Sequence, residues 1–152
     1  MNVMVGGTFD PLHIGHKVLL RRSFEIAGKE GFVTIGLTSD DFALRKSHPV
    51  RPYSIRRDEL IAWIEAMSFP AGYHVECLAD RFGSALNEDF EALVVSEETF
   101  PVAEEINSLR GEMGRGKVDI YQIRCIMADD GKIVSSTRIY RKEIDPEGHL
   151  IR

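Results

Sequence analysis

The chain has 152 residues, 43% of them hydrophobic, which suits one globular domain over residues 1–152 with a buried core. Its net charge of −5 argues against a general nucleic-acid binder, because such proteins normally carry a basic face and a high isoelectric point. The sequence shows neither an apolar stretch approaching a membrane span nor a secretory signal pattern, so we expect a cytoplasmic protein with no membrane partner.

Short β-rich runs alternate with longer amphipathic runs. Strands are predicted at residues 2–5, 32–37, 73–77, 92–95 and 119–123, which are rich in branched or aromatic side chains. Helical spacing of apolar residues appears between them, at Leu20, Phe24 and Ala27, at Leu60, Ile64 and Met67, and at Val102, Ile106, Leu109 and Met113. This order predicts an α/β fold: a doubly wound, parallel five-stranded sheet with helices on both faces, of the Rossmann-like kind.

The first predicted strand runs directly into two glycines and a pair of histidines. Gly6 and Gly7 allow the backbone to turn tightly and to approach a ligand, and the next helix offers free amides and the positive end of its dipole to an anion. His13 and His16 are three residues apart, so on a helix they share one face and can point at one group. The segment therefore predicts a phosphate site.

Two other interpretations of this segment stay open. A glycine pair after a strand is often only a turn. Histidines at this spacing could also bind a metal, but no second pair of ligands stands near them, and Cys77 and Cys125 are far apart in the sequence. We therefore predict no metal ligands among the protein side chains.

Two further polar segments lie in loops after predicted strands. Residues 42–57 contain no acid but include Arg45, Lys46, Arg51, Arg56 and Arg57, so they could focus polyanions or form a solvated basic loop. Residues 133–138 gather hydroxyls and an arginine where a helix over 136–142 should begin. Ser135 or Ser136 could be a simple helix cap, which leaves Thr137 and Arg138 without a role.

The ordered pair of motifs, Gly6 to His16 and Ile133 to Arg138, resembles the HxGH nucleotidyltransferase superfamily. Its members join a nucleoside triphosphate to a phosphate-bearing acceptor and release pyrophosphate. The resemblance implies that the serine-rich segment wraps the β- and γ-phosphates.

Such transfer adds negative charge at the α-phosphate, so it needs positioned cations and donors rather than a covalent nucleophile. His16 would stabilise that charge and His13 would bind neighbouring oxygens. Lys46 would act as a point charge, and Arg138 would hold the leaving pyrophosphate. The expected nucleotide site comprises Gly6, Gly7, Thr8, Phe9, His16, Ser96, Glu97, Ser135, Ser136, Thr137 and Arg138, and the acceptor site Thr8, Asp10 and Lys46. Mg²⁺ is expected to arrive with ATP.

Further segments narrow the resemblance to archaeal phosphopantetheine adenylyltransferases. They are Thr38-Ser39-Asp40 with Arg45-Lys46 and Pro52-Tyr53, Val94 to Thr99 with Ala103 and Ile106-Asn107, Ala128 to Gly131, Ser135 to Ile139, and Glu143-Ile144-Asp145. The resemblance implies that ATP and 4′-phosphopantetheine are joined into 3′-dephospho-coenzyme A in coenzyme A biosynthesis, so the ligands would be these substrates and dephospho-coenzyme A or coenzyme A.

The sequence departs from bacterial enzymes of this activity, which have a threonine-type residue at His13 and an arginine-bearing segment at Ser96-Glu97-Glu98. Ser96 to Thr99 could instead contact the adenosine. Two alternatives remain. One is a related nucleotidyltransferase acting on glycerol 3-phosphate, nicotinamide mononucleotide or flavin mononucleotide. The other is a nucleotide-binding module without turnover, against which the groups aimed at the α-phosphate argue.

Overall fold

The computed structural model describes residues 1–44 and 48–151. Its sheet contains five parallel strands in the order β3-β2-β1-β4-β5. They are β1 (Asn2–Gly7), β2 (Phe32–Thr38), β3 (Gly72–Leu78), β4 (Ala92–Ser96) and β5 (Asp119–Ile123). All five predicted strands are confirmed. Gly6 and Gly7 belong to β1, where they pair with Gly36 and Leu37, so the turn expected at the glycines begins at Thr8.

The helices are α1 (Ile14–Ala27), α2 (Asp40–Ala43), α3 (Tyr53–Met67), α4 (Phe100–Glu112) and α5 (Ser136–Tyr140), with a 3₁₀ helix at Gly83–Leu86. α2 and the 3₁₀ helix were not predicted, because a single turn is too short to show apolar periodicity. α5 ends at Tyr140 rather than 142, and Lys142 has a φ of 61°, a left-handed backbone that cannot continue a helix. No helix in the described ranges is long and apolar enough to span a bilayer.

Apolar side chains pack on both faces of the sheet. Alternation along β1 sends Val3 and Val5 to one face, where they meet Leu20 and Phe24 of α1, and Met4 to the other, where it meets Ile106 of α4. A smaller cluster of Ala128, Val134 and Ile144 joins the C-terminal segment to the start of α1. Helices therefore cover both faces, and the doubly wound fold is confirmed.

The strand order reverses between β1 and β4. In an open parallel sheet the carboxyl ends of the two strands at this reversal flank a crevice, and ligands bind there. The segment from Thr8 to His16 follows β1, and the segment from Ser96 to Thr99 begins at the last residue of β4. The fold thus places two of the sequence motifs at one crevice.

Candidate active site

The end of β1 is packed so closely that it can present only backbone to a ligand. A Cβ on Gly7 would lie 3.2 Å from the ring of Phe9, and a Cβ on Gly6 would lie 3.2 Å from Leu78 Cδ1. Phe9 has a φ of 50° and is buried in the core, and its ring centroid lies 5.0 Å from that of His16 in a T-shaped arrangement. The buried ring leaves the backbone amide as the group of Phe9 that can donate to a ligand, and the assignment of Phe9 to the nucleotide site stays a prediction.

His13 and His16 form a reciprocal cap at the start of α1. His13 is the N-cap residue in extended backbone, so the expectation that both histidines lie within the helix is wrong for His13. The His16 amide donates to His13 Nδ1 at 3.2 Å, and the His13 amide donates to His16 Nδ1 at 3.3 Å. This capping box satisfies two amides that a helix start would leave open.

The reciprocal cap fixes where each ring carries its proton. Because each Nδ1 accepts a hydrogen bond, the proton of each neutral ring sits on Nε2. Both side chains line the same pocket. Burial lowers the pKa of His13 to about 4, although its backbone hydrogen bond opposes this effect, so His13 is a neutral donor at physiological pH.

The pocket beside the histidines, hereafter the polar pocket, collects most of the predicted nucleotide residues. Its lining includes Gly6, Gly7, Thr8, Phe9, Asp10, His13, His16, Ser96, Thr99, Ser135, Ser136 and Thr137. Ser135 is the N-cap of α5, where its hydroxyl accepts from the Arg138 amide at 3.2 Å. The cap interpretation of Ser135 is therefore correct, and the cap leaves Ser136 and Thr137 in the first turn.

Glu97 is exposed and is not among the pocket-lining residues, unlike Ser96 and Thr99 on either side of the same turn. Thr99 is the N-cap residue of α4, but its side chain makes no capping hydrogen bond to that helix. Its hydroxyl instead accepts from the Ser96 amide at 3.1 Å, which closes the turn after β4. Arg124 and Cys125, to which no sequence motif assigned a role in ligand binding, also line the pocket just after β5.

Arg138 is held by carboxylates. Its guanidinium pairs with both oxygens of Asp130, donates to Glu143 at 3.0 Å and reaches the Ile133 carbonyl at 3.2 Å. Hydrogen bonding to Asp130, then to Glu143, raises the pKa of Arg138. Arg138 does not line the polar pocket, although it fastens the loop that does. Its assignment as a pyrophosphate clamp stays a prediction.

Asp10 is also held by an ion pair. It is 5% exposed and accepts from the Arg51 amide at 2.8 Å and from Arg51 Nε at 2.6 Å. The same guanidinium contacts both oxygens of Glu59. Part of the basic segment thus holds the loop after β1, although the Arg51 side chain stays 43% exposed. Lys46, predicted to bind phosphate, lies outside the described residues.

A second pocket, hereafter the apolar pocket, opens on the other side of Gly6, Gly7 and Thr8. Leu78 and Phe82 line it from the segment around β3, Val102 and Ile106 line it from α4, and Arg81 adds one cation. Sequence analysis missed this pocket because Val102 and Ile106 fit the apolar stripe of an amphipathic helix, which more often packs in a core. Gly6, Gly7, Thr8 and Thr99 line both pockets.

The two pockets suit different chemical groups. The polar pocket offers hydroxyls, amides and imidazole donors, which are ligands for phosphate oxygens. The described part of the chain has no group of three or more His, Cys, Asp or Glu side chains that could hold a metal. A magnesium ion usually takes most of its ligands from substrate phosphates and water, so the site fits a metal that arrives with a nucleotide.

Comparison with known proteins places this arrangement in a class. The model of the cytidylyltransferase-like family matches residues 4–142, and the chain belongs to that family. Phosphopantetheine adenylyltransferase from Methanosarcina mazei is 47% identical over 97% of this chain and 96% of the relative. The protein of the same name from Archaeoglobus fulgidus is 40% identical over 99% of this chain and 100% of the relative. The resemblance drawn from the motifs is confirmed.

A solved structure supports the fold independently. A protein of unknown function from Archaeoglobus fulgidus superposes with a TM-score of 0.73 at 35% identity, covering 82% of this chain and 99% of that structure. The enzyme class is thus shown by named relatives of nearly full length, and the chain is a nucleotidyltransferase. The individual site residues rest on the geometry described above.

Proposed function

We propose that this protein transfers the adenylyl group of ATP to 4′-phosphopantetheine, which yields 3′-dephospho-coenzyme A and pyrophosphate in coenzyme A biosynthesis. The observation that carries the proposal is that a polar and an apolar pocket meet at Gly6, Gly7 and Thr8. A triphosphate in one pocket and the phosphate of an acceptor reaching from the other would meet at these residues. The relatives that bear this enzyme's name support the choice of substrates.

The polar pocket would hold ATP. Its triphosphate would lie against the Ser135 to Thr137 turn and the start of α1, where hydroxyls, the two imidazole donors and the dipole of α1 favour an anion. The adenosine would lie toward Ser96 and Thr99, at the end of β4. Mg²⁺ would enter with the triphosphate and offset part of its charge.

The apolar pocket would hold the arm of the acceptor. A pantetheine chain is long, uncharged and branched near its phosphate, so apolar side chains such as Leu78, Phe82 and Val102 suit it better than they would suit a sugar. Arg81 pairs with Glu105 at one edge of the structure and lines the pocket, where it could also meet a polar group of the arm.

The reaction needs no covalent intermediate. An oxygen of the acceptor phosphate attacks the α-phosphorus, the bond from the α-phosphorus to the bridging oxygen breaks, and pyrophosphate leaves with that electron pair. A phosphate monoester has a second pKa of about 6, so its attacking oxygen is already deprotonated at neutral pH. The two histidines can therefore serve as donors to phosphate oxygens rather than as bases, which agrees with a proton on each Nε2.

His16 would stabilise charge that appears on the α-phosphate in the transition state, and His13 would bind a neighbouring oxygen. Thr8 and the Phe9 amide would hold the acceptor phosphate, while Asp10 would keep their loop in place through Arg51. Lys46 follows α2 in the sequence, and we propose that it supplies a cation to the phosphates. The cytoplasmic location expected from the sequence stays a prediction.

Pyrophosphate release tests the proposal directly. Purified protein with ATP and Mg²⁺ should release pyrophosphate only when 4′-phosphopantetheine is added. Pantetheine without its phosphate is the matched control, because it keeps the arm and lacks the nucleophile. Equal release without any acceptor would indicate a hydrolase, and no release with phosphopantetheine would contradict the proposal.

A further inference from the structure

Arg56, in the first turn of α3, is the largest fully buried side chain in the described residues. Its guanidinium reaches across to the active-site loop. Nη1 donates to the Thr8 carbonyl at 3.2 Å and to the Thr38 hydroxyl at 3.3 Å. Nε donates to the Arg51 carbonyl at 2.7 Å, and Nη2 donates to Asp40 at 3.1 Å. A buried charge with this many partners constrains each of them.

The contact with Thr38 gives a hydrogen-bond chain a fixed direction. A guanidinium can only donate, so the Thr38 hydroxyl must accept from Arg56. The Thr38 hydroxyl therefore donates its own hydrogen bond to the Thr8 hydroxyl, 3.0 Å away. Since Thr8 Oγ1 accepts that bond, the Thr8 proton is left to donate elsewhere. Thr38 lines the apolar pocket alone, whereas Thr8 lines both pockets, so a role of Thr38 through Thr8 has to be separated from a direct contact with the acceptor arm.

The contact with the Thr8 carbonyl orients a second donor. In a trans peptide the carbonyl of one residue and the amide of the next point in opposite directions. Arg56 holds the Thr8 carbonyl in the protein interior, so the Phe9 amide points the other way, away from the guanidinium. Among the described residues this amide finds no acceptor.

We propose that Arg56 is a positioning residue that aims two donors, the Thr8 hydroxyl and the Phe9 amide, at the phosphate of the acceptor. The inference rests on the proposed function, and it adds a residue, Arg56, that lines neither pocket but orients groups that do. The positive charge also polarises the chain from Thr38 to Thr8, which makes the last hydroxyl a better donor to an anion. Asp40, 61% exposed in its side chain, balances that charge from the solvent side.

Thr38→Val tests the hydrogen-bond chain with the least risk to folding, because valine has nearly the shape of threonine. Steady-state kinetics should show kcat/KM for 4′-phosphopantetheine reduced about five- to tenfold, with KM for ATP within about twofold of the parent. Thr34→Val is the matched control, because it makes the same change on the same face of β2 at a residue that lines neither the polar nor the apolar pocket. It should leave both values unchanged.

A double-mutant cycle shows whether Thr38 acts through Thr8. In a Thr8→Val background the hydrogen-bond chain already lacks the Thr8 hydroxyl at its end. Adding Thr38→Val should then change kcat/KM by less than about twofold. Arg56→Lys cannot reach all four acceptors, and it should raise KM for phosphopantetheine more than Thr38→Val does. Circular dichroism and the melting temperature check that each variant is folded.

The outcomes separate this inference from the proposed function. Wild-type turnover with an unaffected Thr38→Val variant, or an equal loss from Thr38→Val in both backgrounds, would overturn the hydrogen-bond chain alone. A rise in KM for ATP matching that for phosphopantetheine would also overturn it, because the donors are aimed at one substrate. A wild-type protein that forms no dephospho-coenzyme A would overturn the proposed function and the positioning role together.

Discussion

The imidazole rings of His13 and His16 stack face to face, with centroids 3.6 Å apart and planes 14° from parallel. Protonating both rings would place two like charges against each other, so the stacking disfavours the doubly charged pair. The reciprocal cap keeps both Nδ1 atoms turned to the backbone and both protons on Nε2. The motif thus supplies two oriented donors, and the same contacts begin α1.

His16→Ala should lower kcat about 100- to 1000-fold with little change in ATP affinity, because its donor acts on charge that appears in the transition state. It should also cost about 1 kcal/mol of stability, because the His13 amide loses its acceptor. His16→Gln is the control: glutamine at this position can still accept from the N-cap amide. Near-normal kcat in a folded His16→Gln protein would remove the imidazole from the mechanism.

The depressed pKa of His13 predicts an acid-sensitive fold. Below pH 6.5 the unfolded chain binds a proton at His13, whereas the folded protein resists it until about pH 4. The free energy of unfolding should therefore fall by up to about 3 kcal/mol as the pH drops from 6.5 to 4. The extra proton would go to Nδ1, which already accepts from His16.

His13→Asn offers the comparison for this pH effect, because asparagine is a good N-cap and does not titrate. Urea unfolding at several pH values should show a shallower acid slope in the variant. Identical slopes in the two proteins would mean that His13 protonates as easily in the folded state as in the unfolded state.

Much of the fold was predictable because each strand is a short apolar run and each long helix carries a clear apolar stripe. The two histidines and the Ser135 turn were identified because their two motifs occur together in the order that is typical of one nucleotidyltransferase superfamily. The ion-pair partners of Asp10 and Arg138 could not be identified from the sequence, because Arg51 lies 41 residues from Asp10 and Glu143 lies beyond the end of α5. The apolar pocket was missed because its lining residues have the same periodicity as core residues.

Arg138→Ala should weaken ATP binding about ten- to a hundredfold. The substitution removes either a charge-assisted contact with the triphosphate or the hydrogen bonds that hold the Ser135 turn in place. Asp130→Asn separates these two causes. Asp130 holds the guanidinium beside the loop, so we expect Asp130→Asn to weaken ATP binding several-fold as well. Calorimetry showing a loss in Arg138→Ala with unchanged affinity in Asp130→Asn would assign the guanidinium directly to the triphosphate.

Val102→Arg should fill the apolar pocket from α4. We expect KM for phosphopantetheine to rise at least about tenfold while ATP affinity stays near the parent value. The arginine side chain would overlap sterically with the acceptor arm, and the arm would lose apolar contacts. Ser108→Arg adds the same side chain to an exposed position of the same helix and should leave both values unchanged. Equal rises in the two variants would contradict a pocket for the acceptor arm.

The central claim is that the chain joins ATP to 4′-phosphopantetheine, and competition among substrates tests it most directly. One reaction with Mg²⁺ would contain ATP and CTP together with equal concentrations of 4′-phosphopantetheine, glycerol 3-phosphate and nicotinamide mononucleotide, and mass spectrometry would quantify each product over time. We predict that dephospho-coenzyme A forms fastest, in step with pyrophosphate. A cytidylyl product or a dinucleotide that accumulates faster than dephospho-coenzyme A would contradict the claim.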